Sequence, residues 1–248
     1  MSTQFGIRRE VDLNDFEKSL GGLKGIPIEL ALPHKLENYN LRRTKMTELG
    51  KYMIENDIII YSVHAPQGHL ASKDFTEWAG ETVKLAESVG ARVVVFHPEN
   101  IKKFGKADKQ IIALRNIKQL QRETKVKVGI ETFGGRKRIL SPEDIIQKEL
   151  PMVLDISHLF ERRTFEIIDR YYSNIIGVHL SEKRYDEIEK ESLPHMPIKE
   201  LGFKVLDRLK ELSWKGVVTL EYLPKYHDRL IKDRQMLEQT YTTSFSNI

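Results

Sequence analysis

Short apolar, β-branched runs alternate along the whole chain with longer segments of helical period, and this alternation constrains the fold more than any other feature. The runs fall at about residues 4 to 8, 27 to 31, 58 to 63, 92 to 96, 127 to 131, 151 to 155, 174 to 179 and 216 to 221. Eight strands joined by helices should lie parallel with both faces covered, and they close most economically into a single (β/α)8 TIM barrel. An open doubly wound sheet would want a Gly-rich phosphate loop after its first strand, and none follows here. The length of 248 residues suits one barrel, and no linker or low-complexity tract divides it. The expectation is one domain over 1–248, with about the last eight residues a loose tail.

Local signals agree with this division. Between residues 73 and 89, Phe75, Trp78, Ala79, Val83, Ala86 and Val89 recur at spacings of three and four, a buried helical stripe that Gly90 should end. Ser141 offers an N-cap, Pro142 suits the first helical position, and Asp144 stands three residues after the cap, so the fifth helix should start there.

Chemistry concentrates where the strands end. In order the terminal positions carry Glu29, His64, His97, Glu131, Asp155, His179 and Glu221. Asp, Glu and His together make up fewer than one residue in five, so seven such endings exceed chance by a wide margin. In a barrel these ends converge on the mouth that carries active sites. Burying so many carboxylates and imidazoles together costs several kcal/mol per uncompensated charge, and divalent cations are the simplest remedy. With no cysteine in the chain, the ligands must be imidazole and carboxylate. Glu29 reads as a supporting partner or an ion pair, and His34, His69 and His227 read as solvated surface residues.

Basic residues recur on the same expected rim: Arg8 and Arg9, Arg136 to Arg138, Arg162 and Arg163, Lys183 and Arg184. They suit either a phosphate clamp or a solvated surface offset by Asp186, Glu187, Glu189 and Glu191. Phe133, Phe160 and Tyr222 follow strand ends, placed to wall a sugar or to close the core. A net charge of +4 and a pI near 9.0 are compatible with nucleic acid or with a phosphorylated small molecule. No apolar stretch approaches the ~18 residues of a membrane span, and the start MSTQFGIRREVD has no apolar signal core, so a cytoplasmic protein without membrane partners is expected.

The ordered motifs HAP at 64 to 66, HP at 97 to 98, ET at 131 to 132, DxSH at 155 to 158, VHLSE at 178 to 182, HMP at 195 to 197 and LEY at 220 to 222 carry a family resemblance. The chain resembles the xylose-isomerase-like TIM-barrel superfamily, which holds sugar and sugar-phosphate isomerases and epimerases and the endonuclease IV type of abasic-site nuclease (AP endonuclease family 2). The resemblance implies a shared metal site of Glu131, Asp155, His179 and Glu221, suited to Mn2+, Zn2+, Mg2+ or Co2+. It implies a second site in which His64 and His97 join Glu131, giving one or two ions per chain. His158 and His195 match the third metal position of the nuclease branch, where Leu193 replaces the accompanying Asp. The nuclease's DNA-entering Tyr and Asn are replaced by Gln67-Gly68-His69-Leu70, and a Gly-rich loop by Ile198-Lys199-Glu200-Leu201.

The function this implies is a metal-dependent sugar or sugar-phosphate isomerase or epimerase acting through a cis-enediolate. Glu131, Glu221 and His158 are its expected catalytic residues, and His195 and Lys183 its expected substrate contacts. The alternatives are a phosphodiester hydrolase on abasic DNA and a barrel that binds a ligand without turnover.

Overall fold

A computed structural model describes residues 3–33, 43–101, 106–134 and 138–242, and each of the eight apolar runs is a strand. In chain order the strands are β1 (Gln4–Glu10), β2 (Pro27–Ala31), β3 (Ile59–His64), β4 (Val93–Phe96), β5 (Lys127–Glu131), β6 (Met152–Asp155), β7 (Ile175–Leu180), β8 (Glu182–Asp186), β9 (Glu191–Met196) and β10 (Val217–Leu220). All but β8 and β9 close a barrel in the order β1-β10-β7-β6-β5-β4-β3-β2, every neighbouring pair parallel. The helices are α1 (Phe16–Leu20), α2 (Arg43–Glu55), α3 (Phe75–Ser88), α4 (Lys106–Glu123), α5 (Pro142–Gln147), α6 (Glu161–Tyr171), α7 (Glu200–Glu211) and α8 (His227–Leu237).

The alternation of strand side chains divides the core in two. Val94, Phe96, Val128, Ile130, Met152, Leu154, Val178, Leu180, Val218 and Leu220 face the helices in one large apolar cluster. Val93, Val95 and Val153, with Ile176, form a second cluster inside the barrel. His97, Glu131, Asp155, His179 and Glu221 share the parity of the inner set, so the same period of two that buries the core aims them into the mouth. α3 buries Phe75, Trp78, Ala79, Val83 and Ala86 as its spacing predicts, with Trp78 edge-on to Phe75 and Phe96. Ser141 caps α5 through a reciprocal bond pattern with Asp144.

Tyr61 crosses the barrel interior, its hydroxyl 2.7 Å from Thr219 Oγ1. Gly6 makes room for that ring, since a Cβ there would stand 2.1 Å from Tyr61 Cε1 and 2.8 Å from the Pro27 carbonyl oxygen. Gly6→Ala is therefore expected to destabilise the barrel by about 1–3 kcal/mol, seen as a lower midpoint in a thermal melt. An unchanged midpoint would mean that the Tyr61 ring moves aside without loss.

The β8–β9 hairpin is the element that sequence periodicity does not announce, because β8 is charged on both faces and β9, ESLPHM, has no apolar alternation. Polar contacts hold it instead. Glu182 accepts hydrogen bonds from the backbone N–H groups of Lys199 (2.5 Å) and Gly202 (3.0 Å), capping the start of α7 in the 198–201 segment. Asp186 accepts from Lys225 Nζ at 2.7 Å, and the backbone N–H of Leu223 donates to the His195 carbonyl at 2.9 Å. At the C-terminus Tyr241 is buried beside Phe5, and residues 243–248, most of the expected tail, lie outside the described residues, as do His34, Arg136 and Lys137. Among the described residues no helix is long and apolar enough to cross a membrane.

Candidate metal centre

The mouth of the barrel brings together three overlapping sets of metal-ligand types, with donor atoms within 4.8 Å of one another in each. One set is Glu131, Asp155, His179 and Glu221; another is His64, His97 and Glu131; the last is Asp155, His158 and His195. Glu131 belongs to two of them and divides its oxygens accordingly. Its Oε2 lies 3.1 Å from His64 Nε2 and 2.5 Å from His97 Nε2, while its Oε1 lies 3.2 Å from His179 Nδ1. Asp155 is also shared: Oδ1 accepts from the Ser157 N–H at 2.7 Å, and Oδ2 is buried with no hydrogen-bond partner, 3.6 Å from His158 Nε2.

His179 shows what the central set is built to hold. Its Nε2 lies 3.1–3.2 Å from the two oxygens of Glu29, which accepts a further bond from Ser62 Oγ at 2.7 Å. A neutral imidazole carries one ring proton, and donating it to Glu29 leaves the Nδ1 lone pair facing Glu131 Oε1 at 3.2 Å and Glu221 Oε2 at 3.0 Å. Only a proton or a cation relieves that arrangement. Without a metal the three surrounding carboxylates hold the imidazole protonated, well above its usual range, although burial opposes this. Burial, reinforced by Glu131 and Glu221, pushes Asp155 well above the ordinary range. For Glu131, the charges and hydrogen bonds of the surrounding histidines outweigh burial and keep it well below that range. Burial lowers His64 and His158 to about 4, leaving them neutral imidazoles, the form that binds metals.

Four buried atoms here lack hydrogen-bond partners: Glu29 Oε1, His97 Nε2, Asp155 Oδ2 and Glu221 Oε2. Buried polar atoms without hydrogen-bond geometry in such number are rare in folded proteins. Together with a donor set of oxygen and imidazole nitrogen, they fit one or two divalent cations. Glu29 is not at a strand end, since β2 continues to Ala31; it pairs in register with Ser62, two residues before His64. It is the partner that orients His179, a role that sets imidazole basicity. Glu29→Gln is expected to weaken metal binding about 10- to 100-fold, measurable by chelator competition. Unaltered affinity would remove Glu29 from the support of the centre.

Above the cluster opens a cavity of about 340 Å3, lined among others by Arg8, Gln67, Phe133, Arg138, His195 and His227. A larger cavity of about 1090 Å3 lies at the opposite, N-terminal mouth, but no clustered residue lines it. Arg8 is not a rim residue: it is buried, and its Nη1 donates to Glu221 Oε1 at 2.6 Å. His195 reaches the site from β9 with φ at 56°, a left-handed backbone uncommon for a side chain of this size. Its Nδ1 stands 3.3 Å from both Ser157 Oγ and Ser181 Oγ.

Other expectations are corrected by position. Lys183, read as a substrate contact, is exposed and does not line the cavity, because Glu182 turns inward to cap α7 and the strand alternation sends its neighbour to solvent. His227 is half-buried at the cavity, 3.0 Å from the Tyr222 carbonyl, whereas His69 is exposed as expected. Phe133 stacks in the site, Tyr222 closes the core with its hydroxyl on Asp233, and Phe160 is exposed.

Several solved structures share this architecture. A D-tagatose 3-epimerase-like protein is 18% identical with a TM-score of 0.68, covering 95% of this chain and 96% of that one. The 3-keto-D-glucoside 4-epimerase of E. coli is 9% identical with a TM-score of 0.66, covering 96% and 100%. Endonuclease IV from Thermus thermophilus is 12% identical with a TM-score of 0.58, covering 96% and 99%. At such identities the likeness is one of fold, and no curated protein matches the sequence. The sequence itself matches a family profile across residues 18–240, from α1 through α8 and so through every clustered strand end, and the chain belongs to the xylose isomerase-like TIM barrel family.

Proposed function

We propose that this protein is a divalent-metal-dependent isomerase or epimerase of a sugar or sugar phosphate, acting through a cis-enediolate. The observation that carries the reading is the pair Glu131 and Glu221, which approach His179 Nδ1 at 3.2 and 3.0 Å and both line a cavity of about 340 Å3. That volume suits a small molecule. A divalent cation bound by Glu131, Asp155, His179 and Glu221 supplies polarisation of a carbonyl and its neighbouring hydroxyl. The two glutamates are then placed to take a proton from one carbon and return it at the next, or on the opposite face. Arg8 holds Glu221 in position through its 2.6 Å bond. His158 and His195, packed edge-on at 5.0 Å, are placed to hold substrate hydroxyls at the cavity wall.

The second reading is a phosphodiester hydrolase of the abasic-site type, favoured by the His64, His97 and Glu131 set and by the Asp155, His158 and His195 set. Against it, Leu193 lies on β9 paired with Arg184 rather than supplying a ligand, so Asp155 must serve two sets. Gln67, Gly68 and His69 form the segment after β3, with no aromatic wedge.

In D2O, the metal-loaded protein is expected to exchange the carbon-bound hydrogen next to the carbonyl of at least one aldose or ketose in a panel of free and phosphorylated sugars, as followed by NMR. Cleavage of an abasic-site duplex with no exchange across the panel would put the hydrolase in its place. Metal binding with neither activity would make the chain a ligand-binding barrel.

A further inference from the structure

Among the described residues two guanidinium groups line the cavity above the centre, and they differ in what neutralises them. Arg8 is spent, bonded to Glu221 and buried within the field of Glu221, Glu29 and Glu131. Arg138 makes no ion pair among the described residues, and Glu131 acts on it only through its field, without contact. Its guanidinium carbon lies 4.0 Å from the centroid of the Phe133 ring, and its Nη1 donates to the Pro98 carbonyl at 3.1 Å. A ring face and a neutral carbonyl hold the group in place without cancelling its charge.

The hold is rigid from below as well. Phe133 stacks on His158 with ring centroids 4.3 Å apart and planes at 27°, and meets His97 edge-on at 5.0 Å. A backbone bridge to Asn100 fixes Arg138 from the chain side. The column Arg138–Phe133–His158 therefore ties one planar cation without a direct ion pair to the wall of the site. A guanidinium carries five N–H donors, and the Pro98 carbonyl takes one of them. A neutral occupant of the cavity would leave this half-buried charge facing it unpaired, which is unfavourable; an anionic one would complete it.

We propose that Arg138 is the anion-recognition residue of this cavity, so that the molecule acted on over Glu131 and Glu221 carries a fixed anionic group, a phosphate or a carboxylate, gripped by the Arg138 guanidinium. The inference rests on the small-molecule reading of the site.

The first test is calorimetric titration of inorganic phosphate into the metal-loaded protein. Arg138→Met is expected to weaken binding by at least about tenfold, and Arg138→Lys by less, since Lys keeps the charge but loses the planar fork. Arg162→Met, at an exposed position bonded to Glu166, should change nothing. Equal phosphate affinity in wild type and Arg138→Met overturns the inference, because phosphate would then be held by the metal alone. The second test compares kcat/KM for phosphorylated, carboxylated and neutral forms of any sugar that exchanges in D2O. Wild type should favour an anionic form, Arg138→Met should lose the preference mainly through KM, and the favoured form identifies the group. Neutral and anionic sugars turned over alike, with Arg138→Met altering neither, would refute the Arg138 assignment and leave the isomerase reading standing. No turnover of any sugar, with the phosphate result as expected, would refute the isomerase reading and leave Arg138 standing.

Discussion

Exchanging Glu131 for Gln is expected to strip metal from both donor sets at once and to lower turnover by about 10²- to 10⁴-fold, with the fold retained. Among the described residues Glu131 alone belongs to both, with Oε2 toward His64 and His97 and Oε1 toward His179. An amide at this position offers one neutral oxygen where two charged ones serve now, and it turns an N–H2 donor toward one set of imidazoles. Elemental analysis of the purified variant checks this directly. Wild-type metal content in Glu131→Gln would contradict the bridging role. His97→Ala is the companion measurement, since it removes a ligand from the outer set and leaves Glu131, Asp155, His179 and Glu221 intact. Loss of one of two metals on removing His97 points to a nuclease-type cluster. One metal per chain that survives removal of His97 points to the mononuclear centre of an isomerase.

Glu221→Gln should be comparably severe for a different reason. Glu221 is the most open of the central carboxylates, its side chain 13% exposed against 1% for Glu131 and 0% for Asp155, so it is the one with a clear approach to substrate. Arg8 fixes Oε1 and leaves Oε2 without a hydrogen-bond partner beside His179. The amide would have to present N–H2 either to the guanidinium or to the metal position, and both are unfavourable. A fall in kcat of about 10²- to 10⁴-fold with metal still bound is the expected result; near-normal kcat would assign the proton transfer elsewhere. The pH dependence separates charge from geometry. Burial would raise the carboxyl of Glu221, but Arg8, His195 and His179 outweigh it and hold the group well below the usual carboxylate range. Arg8 keeps its charge when a metal takes the place of the His179 proton, and a base held down by it stays ionised as pH falls, so the acid limb of the rate profile should lie low. Arg8→Met removes the largest of those charges and should move that limb to higher pH. An unmoved limb would mean that Arg8 only packs.

The residues that were legible in the sequence share a property: their placement follows from local periodicity. β4, β5, β6 and β10 each alternate between helix-facing and interior positions, so reading Val93, Val95 and His97, or Val217, Thr219 and Glu221, in steps of two assigns the ligand types to the inner face before any tertiary contact is known. Ser141 and Asp144 mark a helix start because their bonds close within one turn. The β8–β9 hairpin was not legible, because a strand with charge on both faces carries no periodic signal, and what holds it, Glu182 on α7 and Asp186 on Lys225, is distant in sequence. The same distance hid the side on which Lys183 would emerge.

By itself, then, the sequence determined a parallel eight-stranded barrel with a ring of carboxylates and imidazoles at one mouth, because strand alternation, helix period and capping are set by neighbours a few residues apart. Only the tertiary structure decided that Glu29 orients His179, that Arg8 is ion-paired with Glu221 while Arg138 is held on Phe133 without an ion pair among the described residues, and that the cavity is of small-molecule size. Those outcomes depend on how far each strand is staggered against the next and on which side chain reaches a partner first. Register and packing are properties of the closed barrel, and no local pattern encodes them.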